Sequence, residues 1–141
     1  MSNIVQDPEA ALEGGPWIEE NPTNAARALF FGILLLMAGN GLQGSLIGIR
    51  SEAEGFSATV AGFVMAAYFG GFLAGSRYSE YMLARVGHIR VFAGLASMAS
   101  SAVLIHALFI NPLTWGAMRF VTGMCMAGLY VVAESWLNDL A

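Results

Sequence analysis

From Ala28 onward the chain alternates uncharged apolar runs with short polar breaks, and each run is about as long as a bilayer is thick. The first, Ala28–Ile49, carries no charge over 22 residues, and about 20 helical residues cross the hydrocarbon. Arg50-Ser51-Glu52-Ala53-Glu54-Gly55 reads as a short polar loop, and a second span follows over Ser57–Ser76. Residues 77–90 contain Arg77, Glu80, Arg85 and Arg90 and read as a loop or a helix end in water. The next uncharged run, Val91–Met118, is too long for one crossing. Asn111-Pro112 divides it, because the residue before Pro disfavours helix and Pro lacks the backbone donor. Spans three and four are therefore expected over Val91–Ile110 and Leu113–Ala133. In lipid each span must satisfy its backbone groups internally, which makes it a helix. The pattern predicts an all-α membrane protein with four transmembrane helices.

Composition agrees with this reading. The chain is 57% hydrophobic and 11% charged, against about 45–50% and 25% in soluble domains. Its 17 Gly also suit membrane helices. The net charge of −4 is unevenly placed, because Asp7, Glu9, Glu13, Glu19 and Glu20 all precede the first base, Arg27. Residues 1–26 carry Pro8, Pro16 and Pro22 and no periodic apolar face, so a disordered acidic tail is expected. It contains Trp17-Ile18, a weak candidate for the membrane surface, and closes on the N-cap chemistry of Asn21-Pro22-Thr23-Asn24. A secretory signal would open with positive charge and carry an apolar core of about 7–15 residues. An acidic leader before a longer run points instead to a retained span. Nothing in the charge pattern offers nucleic acid a basic surface, and Cys125 alone makes neither an internal disulfide nor a metal cage. Arg27, Arg77, Arg85 and Arg90 flank the spans on one side and Arg50 on the other, which places both termini in the cytoplasm.

Polar residues inside the spans are the candidate chemistry. Arg119 lies six residues into span four, where a cation costs about 2.5–3.5 kcal/mol even on insertion scales. It would bind an anionic group or a coupling carboxylate, or else snorkel to the nearby interface. Arg119, Gly123, Met126, Tyr130 and Glu134 share one face at 3.6 residues per turn, and such a face should not look at lipid. Asn40, Gln43 and Gly44 make a polar stripe on span one, as cavity lining or interhelical glue, and Tyr68 is a pocket or packing residue in span two. Gly44–Gly48 and Gly71–Gly75 are G-x-x-x-G pairs, and Gly123 with Ala127 is a small-residue version; all predict close helix packing. His88 and His106 are 18 residues apart, about 27 Å on one helix, which excludes shared haem or metal ligation. His106 reads as an interfacial histidine. No nucleophile triad and no phosphate loop is present, so neither an enzyme nor a cofactor is expected.

Three phrases carry a resemblance to the N-terminal part of a major facilitator superfamily (MFS) transporter. Ala66-Ala67-Tyr68-Phe69-Gly70-Gly71-Phe72-Leu73-Ala74-Gly75 looks like that family's second helix. Arg85-Val86-Gly87-His88-Ile89-Arg90 is similar to the end of its loop signature G-x-x-x-D-R-x-G-R-R, with Glu80 and Ala84 at the Gly and Asp positions. Arg119-Phe120-Val121-Thr122-Gly123, with Ala127-Gly128, resembles the fourth-helix motif R-x-x-x-G. Val132-Ala133-Glu134-Ser135-Trp136-Leu137-Asn138-Asp139 is similar to the end of helix four in a bacterial branch of uncharacterised permeases. The resemblance implies four helices of a six-helix half, a small-solute substrate, alternating access and the bacterial inner membrane. It places Arg119, Asn40, Gln43, Tyr68 and Tyr130 at a substrate cavity. It gives Arg85, Gly87, Arg90 and Glu134 a part in contacts that hold one conformation. Span one has no carboxylate, unlike many proton-coupled drug exporters of the family.

The chain stops at Ala141 within the amphipathic phrase Ser135-Trp136-Leu137-Asn138-Asp139-Leu140, so it is expected to be a fragment whose partners include missing C-terminal helices as well as lipid. Two other readings stay open. One is a small four-helix exporter working as a dimer, although that class needs a carboxylate in helix one. The other is a scaffold or subunit of a membrane complex.

Overall fold

Four helices account for nearly all of residues 22–140, the part of the chain that the structure, a computed structural model, describes. In chain order they are α1 (Pro22–Ala53), α2 (Ala58–Val86), α3 (His88–Leu108) and α4 (Pro112–Leu140). All four are long and apolar enough to cross a membrane, and the protein is an all-α membrane protein. Most of the expected tail, including Trp17-Ile18 and Asn21, lies outside the described residues. Residues 22–26, expected in that tail, instead form the first turns of α1.

The helices outrun the apolar spans at their ends. Arg50-Ser51-Glu52-Ala53 continues α1, and Arg77–Val86 continues α2, where a loop or helix end was expected. The reason is local. Arg, Glu, Met, Leu and Ala are good helix formers whether in lipid or in water, and the chain meets no breaker before Gly55 and Gly87. Gly55 adopts φ 76°, and Ser57 then caps α2 by accepting the Val60 N–H at 3.3 Å. Gly87, at φ 89° and ψ 157°, is the whole connection between α2 and α3. The Asn111-Pro112 break is where the sequence places it. The Asn111 side-chain oxygen accepts the Leu113 N–H at 2.8 Å, and Pro112 occupies the first helical position, where its missing donor costs nothing.

The fourth helix is the hub. Buried residues make up 56% of its apolar window, against 11%, 17% and 22% for α1, α2 and α3. It packs most extensively on α2, then on α3, and only lightly on α1. Small residues allow the α2–α4 approach. A methyl group added at Gly71 would land on the Phe120 carbonyl, at Gly75 on that of Met124, and at Gly123 on that of Tyr68. On the other flank Val91 and Leu95 of α3 pack with Cys125, Met126, Leu129 and Val132 of α4. A second cluster joins Ile47, Val64 and Trp115 with Phe56, whose ring meets Trp115 edge-on at 5.2 Å.

Candidate functional site

The α2–α4 contact brings the polar residues of three spans together. Arg119, eight residues into α4, is 5% exposed, and its guanidinium carbon lies 4.5 Å from the centre of the Tyr68 ring on α2. A cation over an aromatic face is attracted by the ring quadrupole, the more so when both are out of water. The Tyr68 hydroxyl in turn accepts a hydrogen bond from the Asn40 amide of α1 at 3.0 Å. Gly44, one turn further along α1, leaves room for the guanidinium. A methyl group there would lie 3.9 Å from Arg119 Nη2, so a larger side chain would meet the charge. Tyr130 completes the aromatic side, with its ring 6.1 Å from Phe72, which is itself 6.3 Å from Tyr68.

Several polar atoms of this region are buried without a hydrogen-bond partner: Asn40 Oδ1, Gln43 Nε2, His106 Nε2, and Arg119 Nε and Nη1. Turning the Asn40 amide over would only exchange which of its two polar atoms is left unpaired. Buried polar groups in folded proteins are nearly all bonded, so these atoms are donors and acceptors open to a further partner. The described residues contain no group of three or more His, Cys, Asp or Glu able to hold a metal.

A cavity of about 460 Å³ opens beside the cluster, between α1 and α3 over the face of α4. Its walls are mainly apolar, among them Leu36, Ala96, Ala99 and Met126, and its polar groups include Asn40, Gln43, Thr122 and His106. Arg119 does not line it but adjoins it. Trp115 and Thr122, roughly one turn to either side of Arg119 on α4, form part of the wall, and Gly44 follows Gln43 in α1. His106, near the end of α3 where an interfacial histidine was expected, is buried among the helices. Its Nδ1 donates to the Ala102 carbonyl at 2.8 Å, and its ring is 6.1 Å from Trp115.

Arg85, Arg90 and Glu134, expected to hold one conformation, lie near the ends of α2, α3 and α4. Among the described residues neither Arg85 nor Arg90 makes an ion pair with Glu134, which is exposed. Arg85 stacks on the Tyr81 ring of its own helix at 4.4 Å. The shared face proposed for α4 is buried at Arg119, Gly123 and Met126, half-buried at Tyr130 and open at Glu134. The contact that does join these helix ends is one the sequence reading missed. His88 Nε2, the first residue of α3, is 2.9 Å from Ser135 Oγ and 3.5 Å from Asp139 Oδ2. Ser135 and Asp139 are four apart, so they share a face of α4, and that spacing was the available signal. Gly87, Arg90 and Trp136 border the same cleft.

No protein-family model matches the chain, and no solved structure matches it. It is 30% identical over 115 residues to proteins described as "Uncharacterized MFS-type transporter YcaD" in Escherichia coli O9:H4 (strain HS) and Escherichia coli (strain SE11). The match covers 82% of this chain and 30% of each relative, so the chain spans about a third or less of the curated relatives it matches.

Proposed function

We propose that these four helices belong to a secondary transporter that moves a small solute across the membrane by alternating access. The observation that carries the reading is the buried Asn40–Tyr68–Arg119 cluster, with Gln43 beside it. Ionisable and amide groups are costly in hydrocarbon and mark solute or ion pathways when they face a bundle interior. The likeness to proteins described as MFS-type transporters supports the same reading. In this proposal Asn40, Gln43, Tyr68, Arg119 and Tyr130 meet the solute. The helix ends favour one state through His88 with Ser135 and Asp139, and the alternate state through Arg85 and Arg90 with Glu134. Gly87 is the joint between them. The remaining half of the solute site would come from further helices of the same transporter, and both termini would face the cytoplasm.

Thiol accessibility tests this without knowledge of the solute. Cysteine is placed by Gln43→Cys in a Cys125→Ala background, in the protein produced in its native cells. A membrane-impermeant thiol reagent is then applied to vesicles of each orientation. Alternation requires the introduced thiol to react from both faces of the membrane. A thiol that reacts from one face only, or from neither, overturns the transport reading.

A further inference from the structure

The charges of the described helices leave Arg119 without a counter-ion. Among residues 22–140 the carboxylates are Glu52, Glu54, Glu80, Glu134 and Asp139, and every one lies near a helix end. Glu52 is twelve residues from Asn40, Glu80 twelve from Tyr68, and Glu134 fifteen from Arg119. At 1.5 Å per residue those separations are about 18, 18 and 22 Å. Among the described residues Arg50 pairs with Glu54, and Asp139 lies 3.5 Å from His88 Nε2. The guanidinium carbon of Arg119 lies over the Tyr68 ring, and its Nε and Nη1 have no hydrogen-bond partner among the described residues. Charged N–H donors out of water form their strongest hydrogen bonds with an anionic acceptor such as a carboxylate. Beside it lies a largely apolar cavity of about 460 Å³, room for the hydrocarbon body of a small molecule.

We infer that Arg119 recognises an anionic solute, specifically a monocarboxylate with an apolar body. The carboxylate is bound at the Asn40–Gln43–Arg119 end and the body lies along Ala96, Ala99 and Met126. This rests on the transport reading, which it deepens by naming the solute class. A carboxylate side chain from another part of the transporter is the rival source of the same chemistry.

Three probes of one shape separate these possibilities: benzoate, benzamide and benzylammonium. Each is titrated against the protein purified from its native cells into lipid nanodiscs, with thermal stability and calorimetry as readouts. Benzoate should raise the unfolding temperature saturably, and the neutral and cationic analogues should not. Arg119→Gln should weaken benzoate binding about tenfold or more, equivalent to at least ~1.4 kcal/mol, while Arg119→Lys keeps part of it. Should Arg119→Gln fail to fold, Gly44→Leu serves instead, since it keeps the charge but crowds Nη2, and it should weaken benzoate selectively. Equal effects of benzoate and benzamide overturn the proposal, as does benzoate binding that survives Arg119→Gln. So does the absence of saturable binding by any probe. Thiol labelling from both faces with no benzoate effect removes the anion proposal alone. A benzoate effect with one-sided labelling removes the transport reading alone.

Discussion

Tyr68 serves two neighbours at once, since its hydroxyl meets Asn40 and its ring carries Arg119. The two roles separate by mutation. Tyr68→Phe should cost only about 0.6 kcal/mol, the average for interhelical hydrogen bonds measured inside membranes. Tyr68→Leu also removes the ring face and should cost about 2 kcal/mol more, the value for a desolvated cation–π contact. Reversible unfolding in mixed micelles measures both, and equal losses would mean that the ring does not hold the charge. Asn40, Tyr68 and Arg119 were each legible as polar residues inside apolar runs. Their meeting was not, because contact between three helices depends on how far each is rotated about its axis, and the sequence constrains that weakly. His106 shows the same limit, since its place near the end of a span said nothing of its contact with Trp115.

Glycines at the α2–α4 contact differ from those elsewhere in what a side chain would meet. Gly71→Ala or Gly123→Ala should force backbone apart and cost about 1–3 kcal/mol, as overpacking does. Gly48→Ala has open space around it and should be neutral or stabilising by about 0.5–1 kcal/mol through helix propensity. A reversed order in thermal melts would show that α2 and α4 are not in backbone contact. Gly87 is a different case, because its dihedrals fall in a region open essentially to Gly alone. Gly87→Ala should cost about 1–3 kcal/mol and move the His88 contacts with Ser135 and Asp139, which cross-linking of the α3 and α4 ends would register. The small-residue motifs were readable in the sequence, but not which helix each would meet. The end of α1 was placed too early because charge marks the water boundary, whereas Arg, Glu and Ala continue a helix into water.

For the whole molecule, orientation rests on four Arg against one, counted at the span ends. A reporter active only outside the cytoplasm should therefore work when fused at Glu54 or Leu113 and stay silent at Tyr81 or Asp139. Activity at Tyr81 would reverse the assignment. The proposed alternate state makes a further demand. In the native transporter, Glu134→Gln and Arg85→Ala should each impair transport, and the double change should cost less than the sum, as interacting residues do. Additive defects would mean that the two never meet. That four helices form was legible from run length and one Pro. That the last of them would be central was not, since nothing in its hydropathy sets it apart from the others. This arrangement bears on how the protein is made. Helices α2 and α3 leave the ribosome before α4, the one they pack against, and they have little contact with one another. Until Pro112–Leu140 is synthesised, they must wait in the bilayer as separate rods exposing Gly71, Gly75 and Leu95 to lipid. Packing of these helices therefore waits for α4, and a chain stalled at Ile110 would be inserted, unpacked and open to quality-control proteases.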